Sequence, residues 1–314
     1  MSNKTRTVVA LGGNALEDKS LPPTAESQLK VTERTARRLA ALSAAGYELA
    51  LVHGNGPQVG RILLASETAA DVTPPMPFDV CSAMSQGYIG YQLQQQMRQA
   101  LEDAGRQIPV VTVLTQVEVD GDDPAFRRPT KPIGPFYTEL QAAQLSRERG
   151  WTMKEDAGRG WRRVVASPRP QRIVELETIR RLWDSTITVA CGGGGIPVMR
   201  TREGELEGVS AVIDKDLAAE CLAEGTDADV LLILTEVENV CLHYGTPEQQ
   251  ALRAVTPDEL DGYAAQGHFA EGSMLPKVQA AVRFARSRPG RRAIITSLDR
   301  AVEAMAGQTG TVVQ

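Results

Sequence analysis

Apolar positions in this chain fall into short runs that empty into glycine. Thr7 to Leu11 is β-branched and apolar and leads into Gly12-Gly13-Asn14-Ala15; Tyr47 to Val52 leads into His53-Gly54-Asn55-Gly56-Pro57. Ile187-Thr188-Val189-Ala190 passes through Cys191 into four glycines, Gly192 to Gly195. Each run reads as a strand. A loop without side chains lets another molecule approach the backbone and lets successive N–H groups converge on an anion. Helical spacing follows the first two junctions: Gln28 to Ala45 carries Leu29, Thr32, Ala36, Leu39 and Leu42 at a helical period and stops at Gly46. Gln58 to about Ala70 follows Pro57, which suits a first helical turn. Strand, glycine loop and helix in alternation predict a mostly parallel sheet whose carboxyl edge gathers the loops, the edge where open α/β sheets bind ligands.

The remaining pattern fills in the frame. Asp71 to Phe78 is a proline-rich loop, and Asp79 to Leu101 reads as one long helix with Val80, Met84, Ile89, Leu93, Met97 and Leu101 on a stripe. That stripe fits a core helix or one that crosses its twin in a dimer, with Gly87 and Gly90 allowing close approach. Pro109 to Glu118 predicts a further strand. From Asp120 to Pro170 the texture changes to turns around a short helix, Thr138 to Arg149, and two paired strands, Trp151 to Met153 and Trp161 to Ala166. This segment reads as a small lobe inserted at residues 120–170 of a single domain, with Lys131 near its tip. Ile173 to Trp183 is a predicted helix, Val209 to Ile213 a strand or turn, Asp216 to Leu222 a helix, and Val230 to Leu234 a fully apolar strand ending at Thr235-Glu236-Val237. Thr256 caps a helix to Gln266 with acids in its first turn. Gly272-Ser273-Met274-Leu275-Pro276 precedes a helix from Lys277 to Arg286, and Arg292 to Thr296 and Thr311 to Val313 are the last strands.

Composition narrows the class. The 314 residues are 42% hydrophobic and 23% charged, and 34 basic against 39 acidic residues leave −5. These are the proportions of a globular chain that buries a large core. No basic field suggests nucleic acid, no apolar run approaches the roughly 20 residues of a membrane span, and the polar opening carries no signal-peptide pattern. A cytoplasmic enzyme is the expectation. Cys81, Cys191, Cys221 and Cys241 stand in or beside apolar segments without paired spacing and read as buried thiols, and His53, His243 and His268 are too scattered for a metal cluster.

Three lysines stand out beside the glycine loops. Lys131 lies in a proline-glycine stretch, Lys215 lies between Asp214 and Asp216, and Lys277 follows Gly272 to Pro276. Phosphoryl transfer requires charge to be held in line and neutralised, which backbone N–H groups and lysines supply. Gly54-x-Gly56-x-x-x-Gly60 is one residue longer than the dinucleotide fingerprint, and no GxxxxGK[S/T] occurs. No nucleophile–base arrangement is evident, and an acceptor that is already an anion needs none. His53 reads as a structural imidazole on its loop backbone in preference to a base, and Asp216 as orienting a lysine in preference to binding metal.

The blocks Val9-Ala-Leu-Gly-Gly-Asn-Ala15, His53-Gly-Asn-Gly-Pro-Gln-Val-Gly60, Met84-Ser-Gln-Gly87, Pro129-Thr-Lys-Pro-Ile-Gly-Pro-Phe-Tyr137, Ala190-Cys-Gly-Gly-Gly-Gly-Ile-Pro197, Val212-Ile-Asp-Lys-Asp216 and Gly272-Ser-Met-Leu-Pro-Lys277 resemble the carbamate kinases of the amino acid kinase superfamily. The resemblance runs in order from residue 8 to 311. It implies an α/β fold, a three-layer αβα sandwich with an open, mainly parallel sheet, in a homodimer. The implied reaction is reversible: MgATP and carbamate give MgADP and carbamoyl phosphate, run towards ATP in arginine catabolism. It implies that Gly12, Gly13, Asn14, Gly54, Asn55 and Gly56, with Gly193 and Gly194, hold carbamate and the phosphoryl group. Lys131, Lys215 and Lys277 would neutralise charge, Asp216 would orient the lysines, and Mg2+ would arrive with the nucleotide. Asp214, Thr235, Glu236, Val237, Gly272, Ser273 and Met274 would border that nucleotide. Leu275 and Ser82 stand where this family has glycine, which predicts altered nucleotide affinity or loop position. The rival readings are a kinase of another small carboxylate or phosphonate, and a nucleotide-binding regulator without catalysis.

Overall fold

The computed structural model describes residues 4–18, 20–156 and 158–314. The first three residues of the polar opening, and Ala157 in the turn expected between the paired strands, lie outside the described residues. The first half of the chain runs β1 (Arg6–Leu11), α1 (Ala25–Ala44), β2 (Glu48–His53), α2 (Gly56–Thr68), α3 (Phe78–Asp103), β3 (Val110–Thr112), β4 (Gln116–Val119), β5 (Lys131–Tyr137), α4 (Glu139–Arg149), β6 (Met153–Glu155) and β7 (Trp161–Val165). The second half continues β8 (Pro170–Ile173), α5 (Leu176–Trp183), β9 (Ile187–Val189), β10 (Ile196–Arg200), β11 (Leu206–Gly208), α6 (Lys215–Gly225), β12 (Val230–Thr235), β13 (Cys241–Leu242), β14 (Gln250–Ala251) and β15 (Ala254–Val255). It ends with α7 (Pro257–Ala265), α8 (Met274–Ser287), β16 (Arg292–Ser297), α9 (Ala301–Met305) and β17 (Thr311–Val313).

The main sheet has the order β15-β17-β16-β12-β1-β2-β9-β3, and only β16 and β17 pair antiparallel in it. Successive residues of a strand face opposite sides, and here both sides are covered. Val8, Ala10, Ala50, Val52, Leu231 and Ile233 pack into one buried cluster with residues of α5, α6, α7 and α8. Val9, Leu11, Leu49, Leu51, Leu232 and Leu234 pack into a second with residues of α1, α3 and α9. Two covered faces make the three-layer αβα sandwich, and they explain why β12 reads apolar without alternation. Each fully buried Leu, Ile or Val contributes roughly 1.5–3 kcal/mol relative to exposure, so the strands at the centre of the sheet fix the register of the loops at its edge.

The structure corrects several expectations. Pro109 to Glu118 is two strands: β3 pairs with β9 in the main sheet, and β4 pairs with β10 in a second sheet of order β11-β10-β4-β8. The break is held by Gln86, which accepts from the Thr115 amide at 2.8 Å, and by the Thr115 hydroxyl, which donates to the Val113 carbonyl and accepts from the Cys191 amide. Helix α5 begins at Leu176, because Pro170 to Ile173 pairs with β4 as a strand. Helix α8 begins at Met274, before Lys277, and takes Leu275 and Pro276 into its first turn. On α3, Ile89, Leu93, Met97 and Leu101 are buried, but Val80, Met84 and Tyr91 are 37%, 49% and 62% exposed. Gly90 meets the Thr112 side chain, whereas Gly87 faces open space. Four free cysteines are described, and Cys221 and Cys241 are only half-buried.

Strands β5, β7 and β6 form an antiparallel sheet in that order, accompanied by α4, whose capping box at Thr138 and left-handed Gly150 mark its two ends. This sheet rests on α2. Gly60 and Gly134 come so close that a Cβ on Gly60 would stand 3.2 Å from the Gly134 amide nitrogen. Glu67 of α2 is paired with Arg163 at 3.3 Å and with Arg149 at 3.9 Å, and both guanidiniums lie over the Trp151 ring. Lys131 is at the end of β5 paired with Val165, next to the bridge between Ala166 and Ala211. It therefore stands at the root of this sheet, against the body of the molecule, and not at its tip.

Candidate active site

Parallel register brings the glycine loops together. Leu11 pairs with both Leu234 and His53, so Gly12, Gly54 and Thr235 stand side by side at the carboxyl edge of the sheet. Gly12 has no room for a side chain: a Cβ would stand 2.8 Å from the Leu234 carbonyl oxygen. Asn14 donates to the Thr235 carbonyl at 3.2 Å and ties the first loop to the end of β12. Helix α2 starts at Gly56 without a side-chain cap at Asn55, which leaves its first N–H groups available to an anion. A Cβ on Gly13 or Gly56 would meet nothing within 4 Å.

The glycine quartet owes its composition to packing. Gly192 to Gly195 are buried. A Cβ on Gly192 would stand 2.4 Å from His53 Nε2, on Gly193 2.2 Å from Asn55 Nδ2, and on Gly194 2.1 Å from the Ile213 carbonyl oxygen. Gly193, Gly194 and Gly195 have positive φ, and the Gly194 and Gly195 amides donate back to Cys191 and Gly192. The faces left bare by the glycines are thus filled by protein, and Gly193 and Gly194 seat Asn55 and the segment before Asp214. Asn55 in turn donates to Ser85 at 2.8 Å, and Gln86 donates to the carbonyls of Gly192 and Thr115. His53 is buried with Nδ1 2.8 Å from the Gly54 carbonyl, and burial pushes its imidazole down to about 4. It is a neutral structural ring.

The three lysines are gathered around two carboxylates. Asp216 is 2% exposed and accepts from Lys215 Nζ at 2.5 Å through one oxygen and from Lys277 Nζ at 3.1 Å through the other. Lys277 also donates to the Ser273 carbonyl at 3.0 Å. Asp214 accepts from Lys131 at 2.9 Å and caps α6 by accepting from the Asp216 amide at 2.9 Å. Burial lowers the Lys215 pKa against the pull of Asp216, with the charge of Lys277 adding to the effect. Burial would raise the Asp214 carboxyl, but Lys131, Lys215 and the Asp216 amide outweigh it and hold it below its ordinary value. Lys215 stands against Gly54, whose absent Cβ would lie 3.4 Å from Lys215 Cδ. The sequence-predicted cations thus converge at the edge where the loops open.

A cavity of about 550 Å³ lies beside them, lined by Thr235, Glu236, Val237, Ser273 and Met274 among others. Its size fits a nucleotide or other small organic ligand. Sequence reasoning missed the rest of its wall: Asn239, Cys241, His243, Tyr244, Thr246 and Gly267 to Ala270. His243 and His268 stand edge to face with ring centroids 4.6 Å apart, a meeting that no spacing along the chain announces. A second cavity of about 420 Å³, lined by Gly13, Asn14, Glu17, Asp18, Arg34 and Pro57, shares Glu236 with the first. Leu275 packs against the core beneath α8, and Ser82 is buried with its carbonyl accepting from Ser85 at 2.6 Å.

Comparisons with known proteins agree with this geometry. Residues 5–297 match the amino acid kinase family. The chain is 52% identical over 311 residues to a carbamate kinase of Pyrococcus horikoshii and 53% identical over 310 residues to one of Clostridium perfringens, with 98% of each chain covered in both cases. Its fold matches the structure of carbamate kinase from Giardia lamblia bound to AMP-PNP at a TM-score of 0.93 and 44% identity, over 100% of this chain and 99% of that one. With its sheet, its glycine loops and its sequence in accord, the chain belongs to the amino acid kinase family and, within it, to the carbamate kinases.

Proposed function

We propose that the protein transfers a phosphoryl group reversibly between ATP and carbamate, giving ADP and carbamoyl phosphate. The observation that carries this reading is the pair of lysines, Lys215 and Lys277, shared by the buried Asp216 at the carboxyl edge of the sheet. In the ATP-forming direction the terminal oxygen of ADP attacks phosphorus, the new P–O bond forms, and the bond to the carbamate oxygen breaks with its electron pair leaving on carbamate. No proton moves, because the attacking oxygen is already an anion. Gly12, Gly13, Asn14, Gly54 and the uncapped start of α2 at Asn55 and Gly56 hold carbamate and the phosphoryl group. Lys215 and Lys277 neutralise the shifting charge from one side, Lys131 from the other, and Asp214 and Asp216 hold the ammonium groups in place. Such preorganised charges are typically worth about 10²–10³ in turnover each.

Thr235 to Val237, Ser273 and Met274 border the nucleotide in the larger cavity, with Gly272 preceding them. Asp214 and Asp216 are engaged by lysines, and among the described residues no three His, Cys, Asp or Glu side chains converge. Magnesium carried with the nucleotide would supply charge neutralisation beside Lys215 and Lys277. Residues 120–170 act as a lobe of the single domain that delivers Lys131 from its root. The half-exposed apolar stripe of Val80, Met84 and Tyr91 on α3 supports a homodimer. The enzyme is read as cytoplasmic and as acting in arginine catabolism on its likeness to the carbamate kinases; among the described residues no helix is long and apolar enough to cross a membrane. The test is MgADP-dependent ATP formation from carbamoyl phosphate beside acetyl phosphate and a phosphonate analogue. Preference for carbamoyl phosphate of a hundredfold or more is expected; equal use of another acyl phosphate overturns the substrate assignment.

A further inference from the structure

At the opposite edge of the sheet, where β2 and β9 begin, a cavity of about 140 Å³ opens between Ser43, Glu48, Arg106, Trp183, Asp184 and Ser185. Two of these residues bring buried donors that have no partner: Arg106 Nε and Trp183 Nε1. Trp183 is 2% exposed and forms part of the wall of this space. Buried donors of this kind are uncommon in native proteins and call for a reason. The carboxylates beside them are already engaged. Asp184 is paired with Arg6, and Glu48 with Arg6 at 3.7 Å and Lys4 at 3.8 Å. Lys4, Arg6 and Arg106 against Glu48 and Asp184 leave one positive charge, and Arg106 is the cation that forms no ion pair with a described residue. It is placed by the end of α3, where its amide donates to the Leu101 carbonyl at 2.8 Å. Arg6 lies over the Trp183 ring at 6.0 Å from its centroid.

We propose that this cavity is a second anion site, remote from the glycine loops, which takes a compact oxyanion or small carboxylate between the Arg106 guanidinium and the Trp183 indole N–H. The volume admits an anion the size of phosphate or acetate and excludes a nucleotide. Arg106 supplies charge and Trp183 one directed donor, while Ser43 and Ser185 are hydroxyl neighbours in the same wall.

The test follows the Trp183 indole N–H resonance of the full-length, nucleotide-free protein, identified by its loss in Trp183→Phe. Inorganic phosphate and sodium acetate are titrated separately, with sodium chloride at matched ionic strength and acetamide as the neutral isostere of acetate. A saturable shift of that resonance with phosphate or acetate is expected. It should be unchanged in Lys215→Ala, which alters the other anion site, and weakened at least tenfold in Arg106→Gln, whose unchanged thermal midpoint reports an intact fold. No saturable shift with either anion overturns the proposal and leaves water as the partner of both donors. A shift that survives Arg106→Gln, or that acetamide or chloride reproduces, overturns it equally.

Discussion

Alanine at Gly13 and at Gly193, one at a time, separates ligand approach from packing as the reason for glycine at this site. Gly13 has no positive φ and an added Cβ meets nothing within 4 Å. Gly13→Ala should therefore leave folding stability unchanged or raise it by about 0.4–1 kcal/mol through the unfolded chain. The new methyl group stands in the space assigned to the acyl phosphate, so KM for carbamoyl phosphate should rise at least tenfold. Gly193 has φ +69° and its Cβ would lie 2.2 Å from Asn55 Nδ2. A side chain in the left-handed region costs about 1–2 kcal/mol, and overpacking a dense interior costs about 1–3 kcal/mol more. Their sum, roughly 2–5 kcal/mol, lowers the thermal midpoint by about 3–8 °C in a domain of this size. It also pushes Asn55 off Ser85, so kcat falls together with stability. Thermal melts and steady-state kinetics on the two variants read both effects. A destabilised Gly13→Ala with normal KM, or a Gly193→Ala with the wild-type midpoint and full turnover, refutes this division.

Lys131→Ala should lose about 10²–10³ in kcat while ADP affinity, measured by calorimetry, stays within threefold; equal loss of both shows that the lysine serves the fold. For His53, whose folded pKa lies below the unfolded value of about 6.5, the stability it contributes is present above pH 6.5 and is lost as pH falls through about 4. Its ring resonances should stay those of neutral imidazole down to pH 5; a midpoint between 6 and 7 contradicts its burial as a neutral group. Met84→Glu places a charge in the exposed stripe of α3 and should halve the mass measured by light scattering without lowering turnover of the isolated protomer; a monomeric wild-type protein removes the basis for the dimer.

Most of the frame was legible because it rests on local signals. The strands β1, β2 and β12 are marked by apolar runs, and α7 by a capping box at Thr256 that forms as its spacing suggests. The lysine blocks were legible for the same reason, since charge beside glycine is rare inside apolar surroundings. The failures have a common cause in long-range contacts. Nothing local breaks Pro109 to Glu118 in two; the break comes from Gln86 and Cys191, distant in sequence, gripping Thr115. The placement of Lys131 at the root of its sheet depends on pairing with Val165 and on Asp214. The wall from Asn239 to Ala270 was missed because its residues are aperiodic and joined only in space, as His243 and His268 are. The packing of the quartet at Gly192 was likewise hidden in the sequence: His53, Asn55, Ile213 and Val117 fill the space that the four missing Cβ atoms would take.

The central claim is that the cations gathered by Asp214 and Asp216 carry phosphoryl transfer between ADP and carbamoyl phosphate. The most direct measurement is ATP formation from carbamoyl phosphate and MgADP by wild-type protein and by Lys215→Met, with ADP affinity measured on both. The account predicts rapid ATP formation by the wild type, a loss of at least about a hundredfold in kcat for Lys215→Met, and ADP affinity changed by less than tenfold. A Lys215→Met variant that turns over at the wild-type rate, or a wild-type protein that binds ADP and forms no ATP, would contradict it.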